Sequence, residues 1–377
     1  MPLESEVADA LARFRIAIPS WGFSPMGTRF ATFLLGDEAK DVYGRIDCAA
    51  AVHQATGITP GLALHLPWDR VEDMGALRRY IQDRGLYVEA INPNTFQDPI
   101  YRLGSVAHRD PAVRARAAEH LLWCVEVQHE LAAPYLSLWF ADGTNYPGQA
   151  DFRRRHTHLV ECLAPVHAAL RAGETMLVEY KPFEPAFYHT DVADWGTALR
   201  ICQQLGDRSK VIVDLGHHFQ GQNVEFTVAL LQQAQRLGGF HLNNRKYADD
   251  DLMTGSIDPY GLFLIFRELV KGQRRYGAPV ESVSYCLDQS ANIEAKIPAM
   301  ILSVVQTQEA FAKALLVDEA ELERAEAEGD VIAAQQALRE AFLTDVRPML
   351  AEFRRSRGVP EDPLAHYRLQ ASAAGRR

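Results

Sequence analysis

The stretch Val211-Ile-Val-Asp-Leu-Gly-His-His218 decides how the chain is read. Val211 to Val213 form a short β-branched run of the kind a sheet buries, Asp214 closes it, and His217 follows three residues later. If the run is a strand, a hard oxygen donor and an imidazole nitrogen stand at one rim and face the same space. The same residues also read as an ordinary strand end with an N-capping Asp and a surface His. The choice rests on what the other strand ends carry.

Working outward, short apolar runs alternate with longer amphipathic stretches. The expected strands are 14–19, 61–65, 86–92, 135–139, 176–180, 211–214, 239–242 and 283–287. Between them fall helical patterns at 41–56, 69–83, 112–131, 149–171, 192–205, 224–237, 259–271 and 293–316. Phe226, Leu230, Ala234 and Leu237, for instance, recur on one helical face. Strand–helix units repeated in this way predict an α/β fold, a (β/α)8 TIM barrel spanning residues 1–316. An open doubly wound sheet is the runner-up, but no GxGxxG or GxxxxGK follows any of these strands. Residues 317–377 read as a helical C-terminal extension rich in Ala, Glu and Arg. Its apolar stripe, with Leu322, Leu338, Phe342, Val346 and Leu350, is expected to meet a neighbouring subunit.

In a parallel barrel the functional groups gather where strands hand over to loops at the carboxyl face. Strand five ends in Glu179 and Lys181, strand six in Asp214 and then His217, strand seven delivers His241, and strand eight ends in Asp288. Asp249 and Asp251 follow just beyond strand seven. Crowded carboxylates repel and raise one another's pKa, a difficulty that two divalent cations would remove. Oxygen and imidazole donors suit Mn²⁺, with Mg²⁺, Co²⁺ or Zn²⁺ as alternates. Glu179, Asp214, His241 and Asp288 would hold one ion; His217, Asp249 and Asp251, sharing Asp214, would hold the other with open positions. Singly, Asp249–Asp251 also reads as a solvated acidic loop, His241 as a core histidine and Lys181 as a snorkelling side chain. Their joint occurrence in strand order favours a metal site.

The earlier strands add His65 and Asp69, read as an imidazole oriented by a carboxylate, with Asp69 as a helix cap the alternative. Trp21, Trp68 and Trp139 offer flat apolar walls for sugar C–H faces. Residues 22–30, with Gly22, Pro25, Gly27 and Phe30, read as a lid. His65, Asp69, Lys181 and Asp249 are the candidate catalytic groups. Trp21, Phe30, Trp68, Trp139 and Ser290 are the candidate sugar contacts.

Composition narrows the class. The 377 residues are 47% hydrophobic and 23% charged, with a formal net charge of −10. That balance argues against a nucleic-acid partner and suits a small neutral substrate with bound cations. The five scattered cysteines form no CxxC pair and read as reduced thiols. With no signal peptide and no membrane-spanning run, a cytoplasmic location is expected.

Longer motifs then carry a resemblance. Ile18-Pro-Ser-Trp-Gly22, Gly27-Thr-Arg-Phe30, Leu64-His-Leu-Pro-Trp-Asp69, Asp142-Gly-Thr-Asn-Tyr-Pro-Gly-Gln149, Glu184-Pro-Ala-Phe-Tyr188, Asp214-Leu-Gly-His-His218, Lys246-Tyr-Ala-Asp-Asp-Asp251 and Ala314-Leu-Leu-Val-Asp318 occur in order along nearly the whole chain. The sequence resembles the L-rhamnose isomerases, in particular the Pseudomonas-type enzymes of broad sugar specificity, and more remotely the xylose isomerases. The resemblance implies the same two ligand sets, a Lys181 that contacts the reacting oxygens, substrate contacts at His65 and Trp139, Mn²⁺ dependence and a homotetramer. It also implies a loop around Phe30 that reaches an adjoining subunit's site. Leu242-Asn-Asn-Arg245 and Tyr285-Cys286 depart from the family pattern and leave the exact sugar open.

The expected chemistry is metal-mediated aldose–ketose isomerisation by a 1,2-hydride shift, after ring opening assisted by His65 and Asp69. An enediol route would need a carboxylate free of metal. A one-metal ketose 3-epimerase on the same fold, a zinc-dependent barrel endonuclease and a silent sugar-binding barrel are the rivals. An epimerase would use two flanking glutamates and leave Lys181 without a purpose. The endonuclease would need a basic groove.

Overall fold

The computed structural model describes residues 5–28, 31–34, 36–184, 188–291 and 293–373. Eight strands form the sheet: β1 (Ala17–Pro19), β2 (Gly61–Leu66), β3 (Tyr87–Pro93), β4 (Tyr135–Leu138), β5 (Thr175–Glu179), β6 (Ser209–Asp214), β7 (Leu237–Leu242) and β8 (Ser284–Leu287). Each pairs in parallel with its sequence neighbours, and β1 closes on β8 through Ala17 opposite Cys286. The result is the expected closed (β/α)8 barrel.

Helix α1 (Ser5–Arg13) precedes the barrel. The enclosing helices are α2 (Val42–Thr56), α3 (Met74–Gln82), α4 (Pro111–Leu131), α5 (Phe152–Ala169), α6 (Trp195–Leu205), α7 (Val224–Gln233), α8 (Pro259–Tyr276) and α9 (Lys296–Leu315). Most begin at an Asp or Asn whose side chain accepts an otherwise unpaired backbone N–H, as Asp41, Asp73, Asp110 and Asp258 do. Asp73 caps α3, so that helix starts later than expected and Asp69 is not its cap.

Other boundaries moved too. The first strand begins at Ala17, and the apolar run before it contributes Phe14 to the core after α1. Leu237, read as the last residue of a helical face, opens β7 instead. Helix α7 stops at Gln233, and Gln235 turns the chain at φ 55°. Two short antiparallel pairs were not foreseen: Met26–Thr28 with Ala31–Phe33, and Phe183–Glu184 with Tyr188–His189. One strand of the first pair, Met26–Thr28, falls within the expected lid, while Phe30 lies outside the described residues, as does part of the Glu184–Tyr188 motif.

After the barrel come α10 (Glu319–Glu328), α11 (Val331–Leu343), α12 (Arg347–Ser356) and α13 (Pro363–Ala373). Much of their apolar stripe packs on the chain's own barrel. Leu322, Val346, Met349, Leu350 and Phe353 join the main core, and Phe342 meets Tyr260 and Phe263 of α8 at ring-centre separations of 4.9 and 5.5 Å. No single described helix is long and apolar enough to cross a membrane.

Alternation along the strands sets the interior. Residues two apart share a face, so Ala63 lies below His65, Ala90 below Asn92, Leu177 below Glu179 and Cys286 below Asp288. Ala17, Ala63, Ala90 and Cys286 form a small-residue cluster of their own, separate from the core between sheet and helices. Deeper still, the Ser284 hydroxyl donates to Glu89 at 2.6 Å. A barrel filled by small side chains at its middle leaves the polar top layer a low floor.

Candidate active site

Seven of the eight strands, β2 to β8, send polar side chains into that top layer or end in one, and His241 sits at its centre. Its Nδ1 lies 3.1 Å from Glu179 Oε2, 3.3 Å from Asp288 Oδ2 and 3.7 Å from Asp214 Oδ2. Glu179, Asp214, His241 and Asp288 each offer a donor atom within one region 4.8 Å across, the one such group among the described residues. Asp214 is fully buried; its Oδ1 accepts from the Gly216 N–H and the Asn243 amide, while Oδ2 has no hydrogen bond. Asp288 is oriented by Trp21, whose indole N–H donates to Oδ1 at 2.9 Å. A buried carboxylate oxygen left unbonded is costly unless something else meets it. Orphaned hard donors converging on one point fit a divalent cation better than they fit one another.

The second expected set gathers only in part. His217 Nε2 stands 3.1 Å from Asp249 Oδ1, and its Nδ1 is 2.9 Å from Glu179 Oε1. Lys181 Nζ lies 2.7 Å from Asp249 Oδ2. Asp251 borders the same cleft, but its carboxylate takes a hydrogen bond from Ser290 rather than closing on the other donors. Ser290 also meets Asp251 through backbone N–H to carbonyl at 2.8 Å.

The loop bearing the two aspartates is shaped by its own residues. Asn244 and Leu252 exchange two backbone hydrogen bonds of 2.8 Å and close it. Asp250 turns back to accept from the N–H groups of Lys246, Tyr247 and Ala248, and Asp251 takes a left-handed conformation at φ 45°. Alternate residues of the Asp249-Asp-Asp251 run thus face the cleft, and the middle one holds the loop.

Charge crowding shows in the titration of the group. Burial, with Glu179 and Asp288 adding to it against His217, pushes Asp214 up to about 7. Burial also raises Asp288, and burial with Asp249 nearby raises Asp251 well above the carboxylate range. Burial alone would lift Glu179 as well, but His241 and His217 hold it at about 2. His241 is opposed by burial yet raised to about 9 by Glu179. Asp214, Asp251 and Asp288 therefore resist ionisation without added positive charge.

His65 differs from the expectation. Burial lowers it to about 3, so its ring is neutral across the ordinary pH range. Asp69 does not orient that ring: one oxygen accepts from the His65 backbone N–H at 2.8 Å and from the Ser20 hydroxyl, and the other pairs with Arg45 at 2.6 Å. The ring is held by aromatics, stacked on Trp68 at 3.7 Å and edge-on to Trp21 and Phe96. Phe96 in turn meets Trp139 at 4.8 Å, and Lys181 Nζ stands 5.0 Å from the Trp139 ring centre. These groups, with Asn92 and Ser137, line a cleft of about 240 Å³ over the carboxylates. Phe96, Asn92 and Asn243 were missed by the sequence reading. Asn92 closes β3 and Asn243 follows β7 two residues after His241, so the strand-end rule, applied to amides and aromatics, reaches two of them. A larger cleft of about 590 Å³ between α7 and α8 gathers no comparable set of groups. Arg245 bonds the carbonyls of His218 and Phe219, and Tyr285 packs against Phe240 and Phe14, so neither of these two side chains lines the cleft.

A model of the xylose isomerase-like TIM barrel family matches residues 51–272. The chain belongs to that family. It is 43% identical over 361 residues to a probable sugar isomerase of Mesorhizobium japonicum, covering 94% of this chain and 84% of that one. A probable sugar isomerase of Rhizobium meliloti is 42% identical, covering 95% and 84%. Among solved structures, an L-ribulose 3-epimerase superposes with a TM-score of 0.56 at 18% identity, over 88% of this chain and 97% of that one, a likeness of fold. Barrels of the xylose isomerase-like family usually hold divalent metals, and Glu179, Asp214, His241 and Asp288 are the group here that fits one.

Proposed function

We propose that the protein is a divalent-cation-dependent aldose–ketose isomerase acting on L-rhamnose or a related hexose, deoxyhexose or pentose, with Mn²⁺ as the preferred metal. One observation carries the reading: Lys181, an ammonium group, stands 2.7 Å from Asp249 in the cleft that the His241 carboxylate cluster floors. Glu179, Asp214, His241 and Asp288 would hold one cation, and His217, Asp249 and Asp251 a second. When bound, such cations supply positive charge that polarises a sugar's neighbouring oxygens and lowers the pKa of the C2 hydroxyl.

The chain's own residues account for the remaining tasks. Trp21, Trp68, Phe96 and Trp139 give apolar faces to the sugar carbons and keep water off them. A neutral His65 ring both donates and accepts, which suits it to passing a proton at the ring oxygen as the sugar opens. Isomerisation then requires O2 to lose a proton, hydrogen to move from C2 to C1, and O1 to gain a proton. Lys181, whose ammonium group lies in the cleft, would steady and protonate the oxygen that gains charge. A base acting at carbon would have to come from Glu179, Asp214, Asp249, Asp251 or Asp288, all of which this reading assigns to cations, so a hydride shift is the favoured route.

The epimerase reading keeps the fold and one cation but has no use for Lys181. The relatives named as probable sugar isomerases support the isomerase. A chelator-treated sample given Mn²⁺ and a panel of aldoses and ketoses separates the two. Ketose formed from aldose supports the proposal; C3 epimers formed from ketoses, with aldoses untouched, support the rival. A homotetramer, as the resemblance implies, completes the proposal, and sedimentation measures it.

A further inference from the structure

Asp214 has two oxygens in different circumstances, and one neighbour separates them. Asn243 follows His241 by two residues and is completely buried. Its amide donates to Asp214 Oδ1 at 2.9 Å, beside the Gly216 N–H at 2.7 Å. Turned end for end, the amide would set its own oxygen against the carboxylate, so the donor orientation is the one an ionised Asp214 demands. Gly216 belongs to the same clamp. A side-chain carbon there would come within 3.2 Å of both Asp214 Oδ1 and Asp249 Oδ1, and within 3.3 Å of Asn243 Oδ1. With Oδ1 engaged twice, Oδ2 alone faces His241, Glu179 and Asp288 without a hydrogen bond.

We infer that Asn243 is a positioning residue that locks Asp214 so that a single oxygen, Oδ2, is offered to a cation held with Glu179, His241 and Asp288. The inference rests on the reading of that group as a cation site. Without the amide, the carboxylate turns about its Cβ–Cγ bond, Oδ1 loses a partner, and the donor set spreads. Partners behind a ligand typically tune metal affinity by about 10- to 100-fold.

The test is calorimetric titration of Mn²⁺ into the full-length, chelator-treated protein, wild type beside Asn243→Ala and Asn243→Asp. The Asp variant keeps the shape but replaces the N–H donor with an oxygen. Both variants are expected to bind Mn²⁺ about 10- to 100-fold more weakly, with an altered Mn²⁺ electron-spin-resonance pattern. The metal-free melting temperature controls for a merely structural role. If the wild type binds Mn²⁺ and a folded variant binds it equally well with the same resonance pattern, the inference is overturned while the cation site stands. If the wild type itself takes up no Mn²⁺, the site reading falls and the inference with it. Should Asn243→Ala not fold, the Asp variant decides alone.

Discussion

At the scale of single residues, several groups of the site are buried with their charged forms disfavoured. Asp251 is buried with its carboxyl pushed up by burial and by Asp249. Asp251→Asn removes that strain while keeping the shape. We expect kcat to fall by more than the roughly 100-fold seen for outer partners, with no loss of melting temperature in the metal-free protein. Undiminished turnover would remove Asp251 from the reaction. His65 gives a pH prediction. Its folded value of about 3 is below the ordinary imidazole value, so it contributes stability above about pH 6.5, lost as pH falls from there toward 3. His65→Gln should flatten the acid limb of a stability–pH curve by about 1.4 kcal/mol per pH unit in that window, measured by denaturant unfolding. An unchanged limb would mean the ring charges without penalty. The cluster of Glu179, Asp214, His241 and Asp288 was legible because each of these groups stands at a strand end. The role of Asp69 was not legible, because its partner at His65 is a backbone N–H, which leaves no mark on the side-chain pattern.

At the scale of elements, the strands and most helices follow from period and punctuation, and the misplacements have causes. Leu237 satisfied the helical period, but the turn at Gln235 released it to β7. The loop after β7 was read only as a pair of acids, whereas Asp250 between them organises it through three backbone N–H groups. Asp250→Ala should therefore lower kcat by about 10-fold or more while costing global stability only about 1 kcal/mol, since a loop tolerates local loosening that a constellation does not. Comparison of kcat with the unfolding midpoint checks this; an equal loss of both would point to a general structural role. Gly216 and Asn243 were passed over for a related reason: each acts on the Asp214 carboxylate.

At the scale of the whole molecule, the extension is bound to the barrel by charge as well as by its apolar stripe. Arg267 and Arg275 of α8 both pair with Glu319 of α10 at 2.7 Å, the former almost fully buried. Glu319→Ala leaves the Arg267 guanidinium without its acidic partner and should destabilise the protein by about 3 kcal/mol, read as a lowered melting temperature. Metal should act in the opposite direction. A ligand present at 100 times its Kd adds about 2.7 kcal/mol, so chelation should lower the melting temperature and Mn²⁺ should restore it. The gain should shrink as pH falls from 8 to 5, because protons then compete for Asp214, whose value is raised to about 7.

The proposed activity requires carboxylates and imidazoles from the second half of the barrel to activate the adjoining oxygens of a sugar. Its most direct test is turnover of L-rhamnose deuterated at C2 by the Mn²⁺-loaded protein, with the product read by nuclear magnetic resonance. The expected result is L-rhamnulose carrying the deuterium at C1, formed with Mn²⁺ and abolished by chelation. Label lost to solvent, or equal turnover after complete removal of metal, would contradict it.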